Sequence, residues 1–194
     1  MKLGLGLYRH QLDEAHYRFA RQCGCSHLVI HLVDYFRSSS SNRPGDQPVG
    51  SAAGWGLAGD PDRHWTCDEL LTLKRQINDH GLELEAIENF DPAHWGDVLL
   101  DGPRKAQQLA NLQDLIRAVG RAGIPVIGYN FSIAGVAGRV KGPFARGAAE
   151  AVGMDGPFDE PMPRGMGWNM IVDPQAPPGT AAPAPTDQLW QSLK

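Results

Sequence analysis

The chain has 194 residues, 42% hydrophobic and 21% charged, with 18 basic against 22 acidic residues for a net charge of −4. That supplies a packed core and argues against wholesale disorder, and the slightly acidic balance does not suggest a nucleic-acid or anionic-membrane binder, whose surface needs many clustered Lys and Arg. No run approaches about 18 consecutive apolar residues, so no membrane span is expected. The opening MKLGLGLYRHQLDE lacks a long apolar stretch with a cleavage site, so no signal peptide is expected either. Cys23, Cys25 and Cys67 have no paired spacing and fit a reducing cytoplasm.

The first expected element is a strand in KLGLGLYRH (2–10). A helix follows, N-capped by Asp13, with Leu12, Phe19, Ala20 and Cys23 on its apolar face and Gly24 at its end. The second strand lies in GCSHLVIHLVD (24–34). The second helix opens with the capping box TCDE (66–69), where Thr66 and Glu69 each satisfy a backbone N–H; Trp65 and Leu70 form a hydrophobic staple. Its buried stripe is Leu70, Leu73 and Ile77, and Gly81 stops it. A third strand sits in GLELEAIENFD (81–91). The third helix has Pro103 near its first turn and Leu109, Leu112, Ile116 and Val119 on one face. The fourth strand lies in GIPVIGYNFS (123–132).

Residues 131–185 hold nine Gly and nine Pro and are expected to be an irregular insert or lid. A last helix starts at Thr186, with Leu189, Trp190 and Leu193 apolar. Strands alternating with helices predict an α/β fold with a parallel sheet. Periodicity alone leaves open a small open sheet or the first four units of a (βα)₈ barrel, whose full length is about 250 residues. No phosphate-binding glycine motif opens a helix, so no nucleotide site is expected.

In parallel α/β folds, ligands gather where the strands end. Those ends carry Tyr8, Arg9 and His10; His31 and Asp34; Glu88, Asn89 and Asp91, with His94 and Trp95 beyond; and Tyr129 and Asn130. A strand histidine such as His31 is either a hydrogen-bonded core residue or a functional one. Glu88 ends an apolar strand, and a carboxylate there needs a partner. Tyr129 and Asn130 can simply satisfy loop backbone, and His94 and Trp95 can merely cover the sheet end. His10, His16, His64 and His80 read as surface residues. Arg139, Lys141 and Arg146 form a basic cluster after the fourth strand, and Arg suits a carboxylate.

The stretches HLVIHLVDYF (27–36), LELEAIENFDPAHWGDVLLDGP (82–103), GRAGIPVIGYNFSIAG (120–135), GRVKGPFARGAAE (138–150) and GWNMIVDPQAPPG (167–179) together resemble the mannonate dehydratase family. The resemblance implies a TIM-type (βα)₈ barrel like that of the xylose isomerases, of which residues 1–194 are the first four βα units. It implies a hydro-lyase that removes water from D-mannonate to give 2-dehydro-3-deoxy-D-gluconate in hexuronate catabolism. It places His31, Glu88, Asn130 and Arg139 on the substrate side.

The resemblance also implies Mn²⁺ or Fe²⁺, with ligands in a part of the family that this chain lacks, including a His-Pro-Asp-Asp-Pro stretch not found here. Half a barrel has two open strand edges, so self-association or a complementing second half is expected. The alternatives are a sugar isomerase or epimerase on the related barrel, and a non-catalytic fragment or subunit completed by another chain.

Overall fold

The computed structural model describes residues 1–33, 60, 62–129, 139–154, 166–167, 171–172 and 186–194. Four strands, β1 (Gly4–Leu7), β2 (His27–Ile30), β3 (Glu83–Glu88) and β4 (Val126–Gly128), form one sheet in the order β1-β2-β3-β4, every pair parallel. The expected parallel α/β sheet is therefore present. The strand order follows the chain order without reversal.

The helices between them are α1 (Glu14–Gln22), α2 (Cys67–Asn78), the short α3 (Gly96–Leu100) and α4 (Lys105–Arg121). Gly24, Gly81 and Gly123 follow α1, α2 and α4 with φ of +80°, +71° and +68°. Only glycine enters that left-handed region without penalty, so each helix stops there and the chain turns into the next strand.

Caps explain where the helices start. Asp13 accepts from the His16 backbone N–H at 2.9 Å ahead of α1. At α2 the capping box is complete. The Glu69 N–H donates to Thr66 Oγ1 at 3.2 Å, and the Thr66 N–H donates to Glu69 Oε2 at 2.8 Å. Arg63 closes on the same carboxylate. These contacts, with the Arg63 bond the largest cause, hold Glu69 down from 4.5 to about 2.

A group with a lowered folded-state pKa contributes stability above its unfolded value and loses it as pH falls through the folded one. Glu69→Gln is therefore expected to flatten the acid limb of stability between pH 4.5 and about 2. The effect is small, because the side chain is nearly half exposed. Thr66→Ala is expected to cost about 1 kcal/mol at neutral pH. Urea midpoints at a series of pH values check both, and an acid limb in Glu69→Gln as steep as the parent's would refute the first.

The core gathers Leu7, Tyr17, Ala20, Leu28, Ile30, Leu70, Ile77, Leu82, Leu84, Ile87, Ala118 and Val119. Leu70 and Ile77 lie where the periodicity put them, and Trp65 and Leu73 pack alongside. Two helix faces differ from expectation. On α1 the buried residues are Tyr17 and Ala20, whereas Phe19 and Cys23 are exposed. On α4 they are Gln108, Leu115, Ala118 and Val119, whereas Leu109 and Ile116 face outward. Apolar residues occupy two adjacent stripes of α4, and the stripe one position round is the buried one; α4 packs against α2. Lys74 of α2 ties this contact by donating to the carbonyls of Ala122 (3.2 Å) and Gly123 (2.7 Å) at the end of α4.

Contacts divide the chain into two units, one built on this sheet and one holding residues 131–194 with two shorter stretches. Within 131–185 the described residues form two antiparallel pairs. One joins β5 (Arg139–Gly142) to β6 (Ala151–Met154), and the other joins β7 (Met166–Gly167) to β8 (Ile171–Val172). A helix α5 (Thr186–Leu193) starts where expected, with Trp190 and Leu193 exposed. Among the described residues no helix is long and apolar enough to cross a membrane, and Cys23, Cys25 and Cys67 are free.

Candidate functional site

The ends of β1, β2 and β3 bring three side chains together. His31 follows β2, and its N–H donates to the Leu7 carbonyl at 2.9 Å, which extends the β1–β2 ladder by one step. Asn89, with φ +66°, follows β3 and donates its N–H to the Gly128 carbonyl at 3.0 Å. The backbone on both sides of the site is thus pinned by sheet hydrogen bonds.

A β-bulge decides which side chains meet there. The pairing steps from Leu28↔Leu84 to Val29↔Ala86, so Glu85 is an extra residue in β3. Because one strand gains a residue, Leu84 and Ile87 both reach the core although an odd number of positions separates them. Beyond the bulge Ile30 pairs with Ile87. His31 and Glu88 come next on the opposite face, with His31 Nε2 3.2 Å from Glu88 Oε2. The displaced Glu85 bonds Lys2 Nζ at 2.6 Å.

The Tyr8 ring stacks on His31, centroids 4.7 Å apart and planes 25° from parallel. Tyr8 is held in turn, since its N–H donates to Gln11 Oε1 at 3.0 Å. Arg9 bridges from the same turn to the Leu32 carbonyl at 3.3 Å. His31 has 13% of its side chain exposed and Glu88 48%. Burial lowers the His31 pKa from 6.5, and the Glu88 charge opposes that shift. The result is an imidazole neutral at neutral pH, beside a solvent-reaching carboxylate. This pair can accept a proton from a bound molecule and return it.

Of the expected site residues, the structure brings together His31 and Glu88, with Tyr8. Asn130 and Asp34 lie outside the described residues. Arg139 begins β5 in the other unit. Tyr129 is 66% exposed. Trp95 is buried, its indole N–H donating to the Phe90 carbonyl at 3.4 Å. His64 is a correction: it is not a bare surface residue but lies in ring contact with the buried His94. Nothing local in the sequence signals that contact, because 30 positions separate the two rings.

As for the Mn²⁺ or Fe²⁺ that the resemblance implies, no group of three or more His, Cys, Asp or Glu among the described residues is arranged to hold a metal ion. The described residues do not fit that centre.

A family model described as D-mannonate dehydratase (UxuA) matches residues 39–139. The mannonate dehydratase of Streptococcus pneumoniae (strain 70585) is 36% identical over 86 residues, which are 44% of this chain and 20% of that protein. The mannonate dehydratase of Geobacillus thermodenitrificans (strain NG80-2) is 37% identical over 67 residues, 34% of this chain and 18% of that protein. Among solved structures, mannonate dehydratase from Streptococcus suis serotype 2 aligns over 68% of this chain and 30% of its own, at 23% identity and a TM-score of 0.44. The matches thus span a fifth or less of those two relatives.

Proposed function

Because the chain belongs to the D-mannonate dehydratase (UxuA) family, we propose that it supplies the first four βα units of a (βα)₈ hydro-lyase acting on D-mannonate. The observation that carries this reading is the His31–Glu88 pair at the ends of β2 and β3. Active sites of such barrels are built at that end.

The sheet order supports the barrel. A doubly wound sheet reverses its strand order at its ligand crevice, whereas β1-β2-β3-β4 runs on without reversal. The edge at β4 supports it too. Phe90, Ile116, Val119, Ile124, Ile127 and Tyr129 line an apolar groove of about 330 Å³ there, where a further βα unit would pack.

Dehydration removes the proton on C2, next to the carboxylate, and expels the hydroxyl on C3. The C2 proton passes to the neutral His31 ring. The departing hydroxyl takes a proton from the His31–Glu88 pair and leaves as water. The resulting enol becomes the 2-keto-3-deoxy acid. Asn130 and Arg139 join the substrate side in this reading, Arg139 suiting the carboxylate, and residues 131–185 act as a lid. The protein is cytoplasmic in the same reading.

The test is an assay of D-mannonate with the 194-residue chain, alone and mixed with the remaining portion of a relative, following product mass. Loss of water with a 2-keto-3-deoxy product in either arrangement supports the proposal. A product of unchanged mass would assign an isomerase or epimerase instead. No product in either arrangement, from a folded chain, would overturn the catalytic reading.

A further inference from the structure

A second cluster lies in the segments joining β2 to α2 and β3 to α3. His94 is 3% exposed, and its ring centroid is 4.5 Å from that of His64, the planes tilted by 36°. His94 Nε2 lies 3.3 Å from the Asp60 carbonyl oxygen. A carbonyl only accepts, so the proton sits on Nε2 and the Nδ1 lone pair is bare. Nδ1 of His94 and Nε2 of His64 are both sealed from solvent, and neither has a hydrogen-bond partner among the described residues.

Buried polar atoms are nearly always satisfied, and an exception calls for a ligand, a water or an ion. A ring nitrogen facing a backbone carbonyl while the other is left bare is the arrangement of a metal-bound histidine, whose outer N–H fixes the tautomer. The ring must also be neutral to bind metal. Burial holds the His94 pKa below 6.5, with His64 pushing the same way and Asp91 and the Asp60 and Arg63 carbonyls opposing.

The geometry points to a two-histidine site, His64 Nε2 with His94 Nδ1, for a divalent cation of the Zn²⁺ class. Imidazole suits Zn²⁺, Ni²⁺ and Cu²⁺, whereas Mg²⁺ and Mn²⁺ favour oxygen ligands. No third His, Cys, Asp or Glu joins the pair among the described residues. With two protein ligands the ion binds less tightly than in a closed four-ligand site. It would fasten His64, just ahead of the Thr66 cap of α2, to the turn that follows β3.

The experiment titrates the 194-residue chain with ZnCl₂ by calorimetry at pH 7.5 and reads the seven histidines by ¹H–¹⁵N NMR. One Zn²⁺ per chain is expected, with coordination shifts at His64 Nε2 and His94 Nδ1. Equimolar Mn²⁺ or Mg²⁺ should not displace it. His64→Gln and His94→Gln should each weaken binding by roughly ten- to a hundredfold or more, since losing even an outer partner of a ligand costs that much. His16→Gln and His80→Gln, which alter half-buried rings outside this cluster, should leave it unchanged. Absence of Zn²⁺ binding, binding that survives both the His64 and the His94 substitution, or shifts at His31 or the cysteines instead would overturn the proposal. If His94→Gln does not fold, the half-exposed His64→Gln and the spectrum of the parent chain still decide. D-mannonate turnover through His31 and Glu88 does not depend on this pair, so the two readings fail separately.

Discussion

Replacing Glu88 with glutamine is expected to move the His31 pKa further below its ordinary value. Burial is the main cause of the shift in the parent chain, and the Glu88 charge 3.2 Å away partly offsets it. Glutamine keeps the size and a hydrogen-bonding oxygen but removes the charge, so burial then acts unopposed. The folded chain binds fewer protons at His31 than the unfolded chain does. The stability tied to that group is present above pH 6.5 and lost as pH falls through the lowered value. Glu88→Gln should steepen that loss. An NMR titration of His31 in both chains reads the shift directly, with no need for turnover. Added salt should narrow the difference, because Glu88 is half exposed and its charge is screened. In any assembly that turns over D-mannonate, the same substitution should cost roughly 10²- to 10⁴-fold in kcat, the usual contribution of a positioned acid–base group. An unchanged or raised His31 midpoint would mean that the pair does not form in solution, and Glu88 would lose its role.

What made Glu88 legible was its position: a carboxylate closing an apolar strand must find a partner. That the partner is His31 was not legible. A strict two-residue alternation through ELEAIE would put Leu84, Ala86 and Glu88 on one face and Glu83, Glu85 and Ile87 on the other. The bulge at Glu85 exchanges those faces partway along β3, and no residue type in the strand announces it. Backbone pairing with β2 creates it, and pairing is a property of two strands.

The same distinction separates the helix ends from the helix faces. Thr66, Glu69 and Gly81 act within their own few residues, so their roles could be read locally. The buried face of α4 depends on where α2 lies, and Leu109 and Ile116 make as good an apolar stripe in isolation as Leu115, Ala118 and Val119. His64 failed for the corresponding reason. Its environment is supplied by His94, from a different βα connection.

The largest stability effect is expected at Ile87. It is fully buried in the middle of the sheet, paired with Ile30 on one side and Ile127 on the other. Ile87→Ala removes three carbons from the place where the bulge has turned β3 into the core. The neighbours are strands fixed by backbone hydrogen bonds, so collapse into the space is restricted and the cost should be roughly 2–5 kcal/mol. That is a large share of the roughly 5–15 kcal/mol typical of a whole domain. Val126→Ala gives the contrast. Val126 lies on β4, at the sheet edge, and is 46% exposed, so its loss should cost no more than about 0.5 kcal/mol. Urea denaturation of both variants, with unchanged slope and a lowered midpoint only for Ile87→Ala, would confirm that the stability of this unit resides between β2, β3 and β4. Similar midpoints for the two variants would show that Ile87 is not packed as described. The bulge at Glu85, on which the meeting of His31 and Glu88 depends, would then fall with it.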